Sequence, residues 1–213
     1  MIRRAVVLFS GGLDSTTLLY YVRSKGYKPH CLVFDYGQRH KKEIEQAKKI
    51  AVKIKVPYTV VKLALPWKGS SLVDKNLKLP AHAIGKIGRS KALPSTYVPG
   101  RNTVFLAFAL SCAEALKAWQ VFIGANAIDF SGYPDCRQGY FDSWNRLVKS
   151  LRLKGPVEIK APFVKMTKAQ IIKLGMKLKV PYDMTWSCYA GLKKPCGVCD
   201  SCRLRQEGFK KAL

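Results

Sequence analysis

The chain has 213 residues, 48% of them hydrophobic, and a net charge of +25. That length fits one domain, or one with a small appendage, and the apolar content excludes wholesale disorder. No apolar run reaches the ~18 residues of a membrane span, and residues 5–9 are too short for a signal-peptide core, so the expectation is a cytoplasmic protein with no membrane partner. The positive charge attracts polyanions such as nucleotides or RNA. A lysine-rich proteome or a high growth temperature is the blander account and the preferred one, because charge alone specifies no reaction.

Residues 5–9 form an apolar run that ends at Gly11-Gly12, a buried strand feeding a turn. Leu13, Thr17, Tyr20 and Tyr21 then recur at helical spacing, with Gly26 as a stop. A second buried strand over 31–34 ends at Asp35-Tyr36-Gly37. The periodicity predicts a helix over 41–55 and, past Pro57, a third strand over 58–63. Residues 66–94 lack periodicity and read as a long surface excursion, a candidate lid. An apolar helix is expected over 102–119, a strand over 121–124, a helix over 138–153, a short strand over 157–159, and a helix over 167–179 with Lys168 and Lys173 outward. The alternation implies a parallel α/β sheet that binds ligands beyond the carboxyl ends of its strands. The expected division is a nucleotide-binding α/β domain over 1–182 and a small cysteine-bearing module over 183–213.

Phe9-Ser10-Gly11-Gly12-Leu13-Asp14-Ser15-Thr16 directly follows the first strand. Its glycines permit a tight turn and close approach to an anion, and its amides and the helix N-terminus face phosphate. Asp14 suits either a helix N-terminus or a Mg²⁺ ion near the phosphates. Neither a Walker loop nor a dinucleotide turn fits this spacing, and the string resembles the pyrophosphate-loop ATPases. A glycine turn with a Ser/Asp cap is the plainer alternative.

Four of the seven cysteines, Cys188, Cys196, Cys199 and Cys202, lie within fifteen residues. Such a set suits tetrahedral zinc, with an iron–sulfur cluster as the rival. Cys31 and Cys112 read as core residues. Arg101 can clamp a carboxylate or phosphate, and Asn102 can cap the helix that follows. After the fourth strand, Asn126, Asp129, Ser131, Asp135 and Arg137 crowd a strand's carboxyl end, where substrate contacts belong. Cys136 is a candidate nucleophile with no histidine near it in sequence.

Four strings together resemble the 7-cyano-7-deazaguanine synthase family: Phe9 to Thr17; Leu93-Pro94-Ser95-Thr96-Tyr97-Val98-Pro99-Gly100-Arg101-Asn102; Asp129-Phe130-Ser131-Gly132-Tyr133-Pro134-Asp135-Cys136-Arg137; and Thr185-Trp186-Ser187-Cys188-Tyr189 with the later cysteines. Asp35-Tyr36-Gly37-Gln38-Arg39-His40 is similar to the family's second-strand motif. The resemblance implies a Rossmann-like fold of the adenine nucleotide α-hydrolase type, often a homodimer. It implies a ligase that uses ATP, with Mg²⁺, and ammonia to convert 7-carboxy-7-deazaguanine into the 7-cyano base of queuosine and archaeosine biosynthesis, a tRNA modification pathway. Direct tRNA contact is not required for that reaction. It implies one zinc held by Cys188, Cys196, Cys199 and Cys202. ATP is expected at Phe9, Ser10, Gly11, Gly12, Leu13, Asp14, Ser15, Thr16 and Asp35. Catalytic roles fall to Arg101, Asp129 and Asp135, and substrate binding to Asn102, Ser131, Gly132, Tyr133 and Arg137.

Overall fold

The computed structural model describes residues 3–88, 92–126 and 132–213. Strands β1 (Arg4–Leu8), β2 (Lys28–Asp35), β3 (Tyr58–Lys62), β4 (Gln120–Phe122) and β5 (Glu158–Lys160) form one parallel sheet in the order β3-β2-β1-β4-β5. Alternate residues of β1 enter opposite cores. Val6 and Leu8 pack on one face of the sheet, and Ala5 and Val7 on the other. Because both faces are covered, the strand reads as an unbroken apolar run rather than an alternating one.

Helices α3 (Arg101–Leu116) and α4 (Gln138–Ser150) cover the first face through Leu106, Ala109, Phe141 and Val148. Helices α1 (Leu13–Ser24), α2 (Lys42–Lys53), α5 (Lys168–Lys177) and α6 (Asp200–Ala212) cover the second, where Leu18, Ile50, Ile171 and Ala212 are buried. The chain builds outward from β1 to β3, then returns through α3 to place β4 on the other side of β1. A crevice opens where the direction reverses, beyond the carboxyl ends of β1 and β4.

The expected elements are present, with ends displaced by one to three residues, as fraying helix termini commonly are. Two features differ from the sequence reading. Residues 200–212 form a full helix that the cysteine spacing did not announce. Lys168 is not outward: its side chain is 11% exposed and turned toward α1. Residues 66–88 carry little regular structure but are tied down. The Arg39 guanidinium donates to the carbonyls of Ser71, Lys75 and Leu77, and His82 binds the Asp200 carboxylate at 2.8 Å. No helix of the described residues is long and apolar enough to cross a membrane.

Candidate functional site

The β1–α1 turn is held by its own hydroxyls. Ser10 Oγ lies 3.1 Å from Ser15 Oγ and accepts the Gly12 amide, while Ser15 Oγ accepts the Ser10 amide. Thr16 is fully buried, and its hydroxyl donates to the Gly12 carbonyl at 2.7 Å. Gly11 has φ +79°, and a Cβ there would lie 2.5 Å from the backbone of Glu43 and Ala47 in α2. This glycine therefore serves helix packing.

Asp14 stands in the first turn of α1, its Oδ2 2.6 Å from Lys168 Nζ. Asp14 Oδ1 is buried with no hydrogen-bond partner among the described residues, a costly state for a carboxylate oxygen unless a cation or donor joins it. The stem of Lys168 crosses α6 at Gly208, where a Cβ would lie 2.4 Å from Lys168 Cγ. Arg205, also on α6, donates to the carbonyl of Tyr182 and the hydroxyls of Thr185 and Ser187. The Trp186 amide donates to the Gly11 carbonyl at 3.0 Å, joining the C-terminal segment directly to the turn.

At the other end of the crevice, Arg101 opens α3. Its guanidinium donates to the Tyr36 hydroxyl at 3.3 Å and lies within 6 Å of the Tyr36 and Phe105 ring centres. Burial alone lowers the Arg101 pKa, but the facing Tyr36, Asp135 and Tyr133 more than offset it and hold the guanidinium charged. Asn102 caps nothing. It is buried inside the helix, and its amide donates to the Asp135 carbonyl at 3.2 Å, bolting α3 to the turn Pro134–Cys136. Burial raises the Asp135 carboxyl above its usual range, with Arg101 opposing. Burial, reinforced by Asp135, pushes the Cys136 thiol up to about 12, so no thiolate is available there at neutral pH. Tyr133, its hydroxyl bonded to Thr96, is likewise pushed up to about 12 by burial.

His40 and Glu43 stand between these two ends. His40 is 4% exposed, and its Nε2 lies 3.2 Å from Glu43 Oε1, which also accepts from Gln38. His40 Nδ1 is buried without a partner among the described residues. The Tyr189 ring centre is 5.6 Å from that of His40.

One cavity of about 260 Å³ connects these groups. Of the expected residues, Phe9, Ser10, Gly12, Leu13, Asp14, Ser15, Arg101, Asn102 and Tyr133 line it. Gly11 and Thr16 lie behind it as framework. Asp35 accepts the Gly37 amide and approaches Lys41 outside it. Asp135 is buried beside it, Gly132 packs near Pro94, and Arg137 is exposed at the start of α4. Asp129 and Ser131 lie outside the described residues. The wall also includes residues assigned no site role from sequence: His40, Glu43, Trp186, Tyr189, Arg205 and Lys168, the last read as outward. His40, Trp186 and Tyr189 sit in quoted strings that carried no assigned role. Nothing in the sequence marks Arg205.

The four thiol sulfurs of Cys188, Cys196, Cys199 and Cys202 lie within 4.8 Å of one another. Backbone amides of Ala190 and Cys196 donate to Cys188 Sγ, and that of Cys199 to Cys196 Sγ. Such amide–sulfur bonds stabilise thiolates. Hydrogen bonding from Cys202 lowers the Cys199 thiol below its ordinary value. The cluster has the donors and closeness to hold a metal ion.

A parallel sheet of this order, a serine–glycine turn at its switch point and a cysteine cluster on its flank define a Rossmann-like α/β protein of the pyrophosphate-loop ATPase type. Solved structures share the fold. The U34-tRNA thiolase NcsA from Methanococcus maripaludis with its [4Fe-4S] cluster superposes at TM-score 0.53 and 17% identity, over 99% of this chain and 65% of that one. NMN synthetase from Francisella tularensis superposes at 0.52 and 12%, over 100% and 87%. Sequence relatives are nearer. Residues 4–213 match the model of the family described as queuosine biosynthesis protein QueC. The 7-cyano-7-deazaguanine synthase of Picrophilus torridus is 50% identical over 98% of this chain and 88% of its own length. That of Clostridium kluyveri is 45% identical over 99% and 94%. The chain belongs to the QueC family, whose curated relatives are 7-cyano-7-deazaguanine synthases.

Proposed function

We propose that the chain is a ligase that converts 7-carboxy-7-deazaguanine and ammonia into 7-cyano-7-deazaguanine, cleaving ATP to AMP and pyrophosphate. A carboxylate is a poor electrophile because its leaving group is oxide. Adenylation makes AMP the leaving group, and ammonia then gives the amide. Adenylation of the amide oxygen lets a second AMP depart and leaves the nitrile. The protein's part is positioning and charge stabilisation.

The observation that carries this reading is the single cavity joining the turn at Ser10–Ser15 to Arg101 and Tyr133. In this reading a phosphate site at the turn and an anion clamp at Arg101 lie within reach of one substrate pair. Ser10, Gly12 and Ser15 are assigned to the pyrophosphate, and Arg101 to the substrate carboxylate or α-phosphate. Asp135 acts from behind, on Arg101. The unpartnered Asp14 Oδ1 suits Mg²⁺, a hard cation that takes oxygen ligands.

Zinc is the metal assigned to the module over 183–213. Tetrahedral coordination at Zn–S of about 2.3 Å sets sulfurs about 3.8 Å apart, and the Cys196 and Cys202 sulfurs are 4.0 Å apart. An iron–sulfur cube sits between its thiolates and holds them wider. The exposed Phe108 of α3 and Leu147 of α4 supply apolar surface for the expected homodimer.

The test is incubation of the purified protein with ATP, Mg²⁺, ammonium and 7-carboxy-7-deazaguanine, followed by mass spectrometry. AMP together with the nitrile product is expected. AMP without the nitrile overturns the substrate, and no nucleotide turnover overturns the ligase.

A further inference from the structure

Both halves of the proposed reaction release a proton from nitrogen. When ammonia attacks the adenylate, the C–N bond forms, the C–O bond to AMP breaks, and AMP leaves with the electron pair. The nitrogen must then lose one proton to become an amide. In nitrile formation the amide oxygen takes the adenylyl group and the nitrogen gives up one of its two protons, leaving a neutral imidate. Loss of the second N–H proton then turns that electron pair into the third C–N bond as AMP leaves. An acceptor within reach of the reacting nitrogen is needed each time, and general-base help of this kind is worth about 10²–10⁴-fold.

Resting on the reading above, we propose that His40 is that acceptor, through Nδ1, and that Glu43 positions it. Among the cavity-lining side chains, Lys168 and Arg205 are cations already engaged with Asp14 and with the segment over 182–187. Arg101 is held charged and faces Tyr36. None of these is a base. Cys136 is a protonated thiol. Asp14 belongs to the phosphate end.

His40 differs from all of them. Glu43 Oε1, 3.2 Å from Nε2, fixes the tautomer that donates from Nε2, because a carboxylate only accepts. In the neutral imidazole the lone pair is then on Nδ1, which is buried, unpartnered among the described residues, and belongs to a residue that lines the cavity. Burying an acceptor with no donor is unfavourable, so a donor supplied by the reaction accounts for the arrangement. A proton arriving at Nδ1 makes an imidazolium whose charge faces the Glu43 carboxylate.

The neighbourhood adjoins the substrate end of the cavity. Tyr189 packs against the His40 ring, and its hydroxyl feels the charge of Arg101. Glu43 itself acts on Tyr36, whose hydroxyl receives the Arg101 hydrogen bond. Glu43 is held in turn by Gln38, a fully buried amide that also grips the Tyr36 amide and the Phe34 carbonyl. The orienting carboxylate is thus anchored to the end of β2, as a positioning group must be.

The experiment separates the two halves in the full-length, metal-loaded protein. Exchange of labelled pyrophosphate into ATP, with 7-carboxy-7-deazaguanine and no ammonium, reports adenylation alone. Amide and nitrile formation on adding ammonium reports the proton-releasing steps. His40→Gln is expected to keep exchange within about twofold of wild type while ammonium-dependent product falls about 10²–10⁴-fold. Glu43→Gln keeps the side chain's shape and carries an independent prediction should His40→Gln not fold: exchange retained, product down about tenfold. Unchanged product formation in either folded variant, or equal loss of both activities, overturns the assignment. Absence of exchange in the wild-type protein sinks the adenylation reading itself, so the two failures are distinguishable.

Discussion

Gly11→Ala separates two jobs a glycine can do in a phosphate-binding turn. At φ +79°, a new Cβ would stand 2.5 Å from the Ala47 nitrogen and the Glu43 carbonyl oxygen. Both obstacles are backbone, so no side chain can rotate away. The left-handed conformation costs an L-residue about 1–2 kcal/mol, and overpacking a filled contact about 1–3 kcal/mol. Together these amount to about 2–5 kcal/mol, or a fall in Tm of roughly 4–20 °C for a chain of this size. Gly12→Ala is the control. Its φ is −77°, and its Cβ would meet the rotatable Ser10 hydroxyl at 3.2 Å and the Trp186 carbonyl at 3.4 Å. A loss of about 1 kcal/mol or less is expected there. Differential scanning calorimetry of both variants decides. If Gly11→Ala melts within about 2 °C of wild type, α2 does not pack as closely as described and the argument fails.

Lys168→Gln is expected to weaken ATP binding about tenfold or more, by calorimetric titration, with metal content unchanged. It removes a cation 2.6 Å from Asp14 at the phosphate end. Cys188→Ser or Cys196→Ser is expected to abolish metal retention and lower Tm. Elemental analysis of the wild type should give one zinc per chain, and a brown protein with iron would refute that metal. Stability is expected to fall at alkaline pH. A thiol whose pKa is about 12 folded and about 8.5 unfolded keeps its full contribution below pH ~8.5 and loses it progressively as pH rises toward 12. Cys136→Ala should flatten that fall in urea titrations between pH 8 and 10, and an unchanged slope would refute the buried, protonated thiol.

The β–α–β rhythm and the tight turn after β1 were legible because each depends on local sequence. Apolar runs, Gly11-Gly12 and Pro57 mark strands, turn and break without knowledge of the rest of the chain. The cysteine cluster was legible for the same reason, its four thiols being close in sequence. What could not be read was closure. Helical periodicity assigns Lys168 to a polar position, which in isolation means outward. Only the packing of α6 across α5 converts that position into an inward one. Asn102 shows the opposite error. Its place near a helix start suggests a cap, but its amide is spent on the Asp135 carbonyl, thirty-three residues away. Gly11 was read as clearance for an anion, when the space it leaves is filled by α2.

Helix α6 shows why closure matters to the site. Cys202, Arg205 and Gly208 recur every three residues and so share one side of the helix. The first belongs to the cysteine cluster. The second reaches the cavity wall and grips the segment over 182–187, whose neighbouring Trp186 amide binds Gly11. The third is the gap over which Lys168 passes to Asp14. A metal bound by Cys199 and Cys202 would fix the N-terminal turn of this helix, and the helix would transmit that position to Arg205 and Lys168. The cysteine cluster, remote from the proposed chemistry in sequence, is in this way joined to the scaffold that sets the charge around the turn after β1.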